Sequence, residues 1–303
     1  EENKREMAIT KKTRQVRKEL KTDPDNLELQ LELATLFIDG CNYEEALKQL
    51  ALVRNKDPKN PRVYKLLGTA YVLFNHDEEA LLELNRAHEL DRDDPEILFN
   101  LGGVYLLKDM YESAADAFEK AIKIDPTDTT SYANLAAAYG MLKIYDKEIS
   151  ALKKVLMFEP ENKELRAALS NAYFNSDRFE EAIDAAICVV EIDEKDTQAY
   201  CNLGSCYAAQ NMIDEAIKTF NKASELAPDY SLPHTNLGTL YANMGRIEPA
   251  IKEFKVSVSL NPQDAGAWLN LYSCYKEVGL MEESQKAYSI YEALMNQSEL
   301  DQA

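Results

Sequence analysis

Glycine and proline are both scarce, ten of each in 303 residues. A loop-rich or all-β chain needs more of both for its turns, so the chain is expected to be helical. Long apolar runs are missing too. No stretch approaches the roughly 20 apolar residues that span a bilayer, and no secretory signal opens the chain. The chain starts at Glu1 rather than Met, which is expected to reflect processing or trimming, with loss of any signal, anchor or further domain upstream. Cysteine is sparse and odd in number: Cys41, Cys188, Cys201, Cys206 and Cys274 show no paired spacing. Free thiols in a reducing compartment are expected, which favours the cytoplasm. Cys201 and Cys206 stand five apart, so on one helix they point to different sides and do not share a metal. There are three histidines, His76, His88 and His234, with no cysteine or serine at a suggestive offset. No glycine-rich phosphate loop, HExxH, CxxC or GxSxG occurs. No catalytic residue, metal site, cofactor or small-molecule substrate is therefore expected.

Positive charge is also in deficit. The formal net charge is −19, which repels phosphate backbones and argues against nucleic acid as a partner. The exception is residues 1–21, which carry a formal +4 through Lys4, Arg5, Lys11, Lys12, Arg14, Arg17, Lys18 and Lys21. A basic helix of this kind suits an anionic membrane or an acidic partner. A solvated helix face is the favoured reading, with membrane contact the lesser one.

What is abundant is alanine, leucine, glutamate and lysine, all good helix formers. A single core rarely grows to this length, which points to two domains or a repeat array. Leu33, Leu67, Leu101, Leu135, Leu169, Leu203, Leu237 and Leu271 recur every 34 residues. Four residues after each stands an aromatic: Phe37, Tyr71, Tyr105, Tyr139, Tyr173, Tyr207, Tyr241 and Tyr275. That spacing puts each pair on one face of a helix. A small residue follows most of the leucines (Ala34, Gly68, Gly102, Ala136, Ser170, Gly204, Gly238), and twelve positions on comes another (Ala46, Ala80, Ala114, Ala182, Ala216, Ala250). Matched small residues let two antiparallel helices approach closely. Pro58, Pro126, Pro160, Pro228 and Pro262 stop the second helix, and acidic or asparagine residues beside them can cap the next one.

The pattern resembles the tetratricopeptide repeat family without insertion over residues 27–298, as eight repeats: 27–60, 61–94, 95–128, 129–162, 163–196, 197–230, 231–264 and 265–298. Residues 1–26 are read as a leading basic helix, spanning 3–21, or a partial repeat, and 299–303 as a tail. The resemblance implies an all-α, right-handed superhelical solenoid of antiparallel helix pairs. It implies a concave groove lined by the second, fifth, sixth, ninth, twelfth and thirteenth positions of each repeat. The sixth position reads Asn100, Asn134, Asn202, Asn236 and Asn270, interrupted by Glu32, Leu66 and Ala168. It resembles the asparagine ladder in the repeats of O-linked N-acetylglucosamine transferase, where a carboxamide can grip a peptide backbone as donor and acceptor at once. Family background is the competing explanation.

Carried over to repeats 2–5, the groove positions give an apolar strip that includes Leu73, Phe99, Leu106, Met141 and Phe174, a seat for an amphipathic helix or a hydrophobic peptide. In repeats 6–8 the groove is polar, with Asn202, Asn236, Asn243 and Asn270, and suits an extended peptide. The leading helix or a second copy of the chain could instead cover the apolar strip. A clamp for acidic chaperone tails is not expected. Lys65 has Thr69 beside it instead of asparagine, and Thr130 and Asn134 replace the required basic pair.

Two departures from the pattern stand out. Glu148 takes an alanine position opposite Ala136, and an outward-turned side chain or a local salt bridge is the expectation. In repeat 8, Tyr272 replaces the small residue, Ser284 the alanine, and Tyr288 and Tyr291 the usual packing residues. With no obvious polar cap, Ile290, Tyr291 and Leu294 are expected to form an apolar edge for self-association. The leading function is a non-enzymatic scaffold or adaptor that binds a partner's peptide or helix. The alternatives are a self-assembling structural protein, as a dimer or higher oligomer, and a targeting module of a larger protein.

Overall fold

The computed structural model describes residues 2–301, with side chains described for residues 4–297. All elements among the described residues are helices. The chain divides into two compact units, the first ending at Phe158 and the second starting at Glu159. In the first unit a leading helix, α1 (Glu2–Thr22), is followed by four helix pairs. They are α2 (Leu27–Asp39) with α3 (Tyr43–Lys56), α4 (Pro61–Leu73) with α5 (Asp77–Leu90), α6 (Pro95–Leu107) with α7 (Tyr111–Ile124), and α8 (Thr129–Met141) with α9 (Tyr145–Leu156). The second unit holds four more: α10 (Lys163–Asn175) with α11 (Phe179–Ile192), α12 (Thr197–Ala209) with α13 (Ile213–Leu226), α14 (Leu232–Asn243) with α15 (Ile247–Leu260), and α16 (Ala265–Glu277) with α17 (Met281–Asp301). The first seven pairs each fall inside one 34-residue period read from the leucines, and the eighth overruns its period, to Asp301.

Local chemistry sets the ends of these helices. The residue before the first helix of a repeat is an Asn or Asp whose side chain accepts from the helix's free amides. Asn26, Asn60, Asp94, Asp128, Asn162, Asp196 and Asp264 all do this. Each such cap contributes about 1 kcal/mol. Repeat 7 is the exception: Tyr230 stands in that place, and α14 starts one residue later, after Ser231, which makes no side-chain cap bond. The turn inside every repeat uses a left-handed residue: Cys41, Asn75, Asp109, Lys143, Asp177, Asn211, Gly245 and Gly279 all have φ between 56° and 79°. The next amide closes back on the carbonyl of the repeat's aromatic, as Asn42 on Phe37 at 2.7 Å and Met110 on Tyr105 at 2.8 Å. That is the six-to-one bond of a Schellman motif.

The close contact inside a helix pair is finished by a residue the small-residue reading did not single out. A Cβ added at Gly102, Gly204 or Gly238 would come within 3.0 Å of the ring of Phe118, Phe220 or Phe254, sixteen residues on. At Gly68 it would meet Leu84 at 2.4 Å, with the Ala80 carbonyl at 3.3 Å. The first-helix glycine is thus a hollow for a large side chain of the second helix. Where the hollow carries more, its partner changes. Ser170 stands opposite Ala186, with its hydroxyl donating to the Ala182 carbonyl at 2.8 Å, and Tyr272 meets Tyr288 ring to ring at 5.0 Å.

The leading helix is a structural part of the first unit. Val16 is buried, and Ile9 and Leu20 pack into the same core as Leu31 and Leu50. Lys12 pairs with Glu32 at 2.9 Å and the Arg17 guanidinium lies 5.2 Å over the Phe37 ring. The helix runs one residue past each end of the expected 3–21 span, and it packs on α2 without covering the apolar strip. At the other end α17 is 21 residues long, against 12 to 14 for the other second helices. Tyr291 and Leu294 are half-buried there while Ile290 stays exposed, so the expected apolar edge is only partly open. Residues 299–301 of the expected tail instead continue α17, and 302 and 303 lie outside the described residues.

Candidate functional site

Within each unit the first helices of neighbouring repeats touch: α2, α4, α6 and α8 in the first, and α12, α14 and α16 in the second. The second helices do not approach one another in this way, so each stack is concave on its first-helix side. The sixth and thirteenth positions share one face of a first helix: Asn100 reaches Thr69 of the neighbouring first helix, and Asn236 and Asn243 line one cavity.

In repeats 2–4 of the first unit the thirteenth positions form an apolar row, while repeat 1 has Asp39 there. Leu73, Leu107 and Met141 are 50%, 60% and 58% exposed. Phe99 and Leu106 are less available: both are half-buried, and Phe99 packs edge-on against Phe118 at 5.9 Å between centroids. They support the face more than they offer it. Asn100 already donates to the Thr69 hydroxyl at 3.3 Å. The Asn134 carboxamide enters none of the described hydrogen bonds. Lys65 is held by Asp94 at 2.9 Å and Glu96 at 2.6 Å, so it is not free to grip an acidic tail.

In the second unit the inner face holds a cavity of about 360 Å³ between repeats 5 and 7. Phe174, Asn236 and Asn243 line it together with Ser205, Thr239 and Leu240. Three residues singled out from sequence thus converge on one site. Phe174 is steadied by Phe179, 5.6 Å away. The Asn236 carboxamide enters none of the described hydrogen bonds, so both its donor and its acceptor face the cavity unspent. Asn270 is likewise unengaged, outside this cavity. Asn202 is already oriented, since its Oδ1 accepts from Gln198 at 2.9 Å.

The tetratricopeptide repeat profiles match residues 15–69, 95–128, 117–149, 197–230 and 233–264, together more than half of the chain. The chain belongs to the tetratricopeptide repeat family. Among solved structures it is similar to the C-terminal part of a tetratricopeptide repeat-containing protein from Cytophaga hutchinsonii. That match has a TM-score of 0.65 at 16% identity and covers 80% of this chain and 99% of that one. It is also similar to MamA, from residue 41 onward, of Desulfovibrio magneticus RS-1, with a TM-score of 0.51 at 23% identity over 55% of this chain and 94% of that one. No curated protein matches the sequence. The first profile match begins at residue 15, inside α1. This agrees with α1 packing on α2 as a second helix packs on the repeat that follows it.

One constellation in this tetratricopeptide repeat array escaped the sequence reading. His234 Nδ1 lies 2.8 Å from Glu253 Oε2, and its Nε2 lies 3.2 Å from the Ser224 hydroxyl. The three come from α14, α15 and α13, ten and nineteen residues from the histidine. The order Ser–His–Glu matches that of a hydrolytic triad, but Ser224 sits within α13, whose backbone amides are spent on the helix, leaving no oxyanion hole beside it. The network joins three helices at a position where repeats 2, 4, 6 and 8 place Tyr or Trp, as at Tyr200 and Trp268. Glu148 also departs from expectation. It is neither turned out nor salt-bridged: its carboxylate lies against Gly140, 3.0 Å from where a Cβ would stand, and desolvation alone raises its pKa. The buried Cys201 thiol is pushed up to about 12, chiefly by desolvation, with the Asp196 charge adding to it. Among the described residues no group of three or more His, Cys, Asp or Glu is placed to hold a metal, and no helix is long and apolar enough to cross a membrane.

Proposed function

We propose that the protein is a non-enzymatic scaffold that takes an extended segment of a partner protein onto the inner face of its second unit. The tetratricopeptide repeat fold supports a role as a protein–protein interaction scaffold. The observation that carries the finer reading is the cavity in which Phe174 supplies an apolar wall and Asn236 an unspent carboxamide. An extended backbone needs both a donor and an acceptor at its repeat, and side chains need apolar contact. Leu73, Leu107 and Met141 in the first unit suit the apolar face of a partner helix. The five free cysteines fit a reducing compartment, and the cytoplasm is part of this reading.

The test is a set of peptides selected against the intact protein from a random display library. Their affinity is then measured by fluorescence anisotropy for the wild type and for Asn236→Ala with Asn243→Ala. A loss of about tenfold or more with unchanged helicity is expected, the equivalent of about 1.4 kcal/mol. Unchanged affinity for every selected peptide sinks the reading. Self-association is a second reading, favoured by Met281, Ile290 and Met295, all exposed on α17. A monomer by light scattering at high protein concentration removes it, and Ile290→Glu should dissociate any oligomer that forms.

A further inference from the structure

The glycine hollow of repeats 3, 6 and 7 is filled by the rings of Phe118, Phe220 and Phe254. Repeat 5 has no such ring. Ser170 and Ala186 stand at the two places, and both are buried. Above them the second unit opens a cavity of about 290 Å³. Its deeper wall is apolar, made by Ala167, Ala186, Val189 and Ala199. A dry cavity of roughly 150 Å³ is enough to take benzene, so this one has room for a phenol or an indole. The sister repeats show what shape of group the fold places between these two helices, and it is an aromatic ring.

The rim is polar and acidic. Lys163 is bridged at 3.0 Å to both Asp193 and Asp196, and those contacts hold its ammonium firmly charged, with its pKa raised. Glu164 also lines the cavity, so the carboxylates of Glu164, Asp193 and Asp196 outnumber the one ammonium. The rim therefore favours cationic neighbours on whatever enters.

A hydrogen-bond relay ends at the same rim. Tyr230 donates from its hydroxyl to Gln198 Oε1 at 2.7 Å, and Gln198 donates from Nε2 to Asn202 Oδ1 at 2.9 Å. Asn202 is left with its NH₂ group to offer. Tyr230 is the residue that stands where the other repeats keep a helix cap, so α14 forgoes its cap while the relay is made. Local rules broken in this way mark functional sites more often than chance.

We propose that this cavity is a socket for one aromatic side chain of an extended, basic partner segment, with Asn202 donating to the backbone carbonyl beside that side chain. The inference rests on the scaffold reading and names the chemistry of what it binds. The ring fills the space that Ala186 leaves, the flanking cation meets Glu164 and Asp196, and the relay from Tyr230 keeps Asn202 aimed.

The probes are capped tripeptides: acetyl-Lys-Trp-Lys-amide, the same peptide with Leu or Ala in place of Trp, and acetyl-Glu-Trp-Glu-amide. Each is titrated into the intact protein carrying ¹³C-methyl alanine and valine. The Lys-Trp-Lys peptide should shift the Ala186, Val189 and Ala199 methyls. Replacing Trp by Ala should weaken binding about tenfold, with Leu between the two, and Glu flanks should weaken it about threefold. Ser170→Gly with Ala186→Phe rebuilds the pair used in repeats 3, 6 and 7, refills the socket and should abolish the shifts. Ala167→Phe fills the cavity from a half-buried part of its wall and should act alike if the refilled chain folds poorly.

Equal binding of the Trp and Ala peptides overturns the socket. So does full binding by a folded refilled variant together with Ala167→Phe. The display-selected peptides separate the two readings. If they bind through Asn236 and ignore the refilling, the scaffold reading stands and the socket falls. If the tripeptide responds to refilling while the selected peptides ignore Asn236 and Asn243, the socket stands and that reading of the 360 Å³ cavity falls.

Discussion

Repeats 3 and 5 have the same length and the same pair of helices, yet they fill their centres in opposite ways. Repeat 3 sets Gly102 under Phe118, and the ring is fully buried. Repeat 5 sets Ser170 opposite Ala186 and spends the serine hydroxyl on the neighbouring helix, 2.8 Å from the Ala182 carbonyl. The first arrangement closes the repeat from within. The second leaves a cavity that faces the inner surface. The residue at the hollow and its partner sixteen positions later form one unit of packing, so a change of size at one is felt at the other.

The largest effect follows from that coupling. Phe118→Ala should cost about 3–5 kcal/mol in urea unfolding, because the ring is wholly buried and its hollow collapses poorly. A loss below 1 kcal/mol would show that the ring does not hold the repeat together. Gly102→Ser is the next test. Its Cβ would start 2.7 Å from the Phe118 ring, so the single substitution should cost roughly 1–3 kcal/mol. In a Phe118→Ala background, which recreates the repeat 5 pair, the same change should cost little. The double-mutant cycle should therefore show coupling of about 1 kcal/mol or more. Additive effects would break the comparison between the two repeats.

A smaller effect concerns the turn that all repeats share. Gly245 and Gly279 take the left-handed conformation freely, while Cys41 and Lys143 adopt it with a side chain attached. Lys143→Gly should raise stability by up to about 1 kcal/mol, the lower end of the left-handed penalty for such a residue, less the entropy glycine adds to the unfolded chain. Gly245→Ala should lower stability by about 1 kcal/mol. Matching thermal melts of the two variants would show that the turn geometry is not under this constraint.

How much of this was legible in the sequence depended on whether the signal was periodic. The leucines and aromatics gave the helix pairs and their boundaries, because core contacts repeat with the chain. The caps at Asn60, Asp128, Asn162 and Asp264, which follow the recurring prolines, were visible for the same reason. The left-handed turn was hidden because Cys, Asn, Asp and Lys occupy it without a shared chemistry other than tolerance of the backbone. The hollow was matched to the alanine twelve residues on, since both are small. The structure shows that it also meets a larger residue one turn further, whose bulk is what the hollow accommodates. Of the groove residues, Phe174, Asn236 and Asn243 were brought together, while Phe99 and Leu106 turned partly into the core, since an apolar side chain at the rim of a groove gains more by burial there. The Ser224–His234–Glu253 network could not be read at all, because its spacing is set by packing between three helices.

Repeat 4 offers the finest test, since it replaces by a carboxylate an alanine that repeats 3 and 5 both bury. Ala114 and Ala182 are fully enclosed, while Glu148 is half-buried against Gly140, which leaves it room. Burial penalises the charged form and raises the pKa of Glu148 above its ordinary value of 4.5. For an acid whose folded pKa is raised, the folded chain binds the proton more tightly than the unfolded chain. Stability from this group is therefore greatest at low pH and is lost as pH rises through the folded pKa. At neutral pH the charge weighs against the fold. Glu148→Ala should thus raise the urea midpoint slightly at pH 7, and Glu148→Gln should do so with less change in packing. Both gains should shrink on acidification through the range where the carboxylate takes up its proton. Acid-range midpoints compared across the wild type and the two variants check this. A gain that is independent of pH would mean that Glu148 is disfavoured by its bulk rather than its charge, and that the alanines of repeats 3 and 5 are there for space alone.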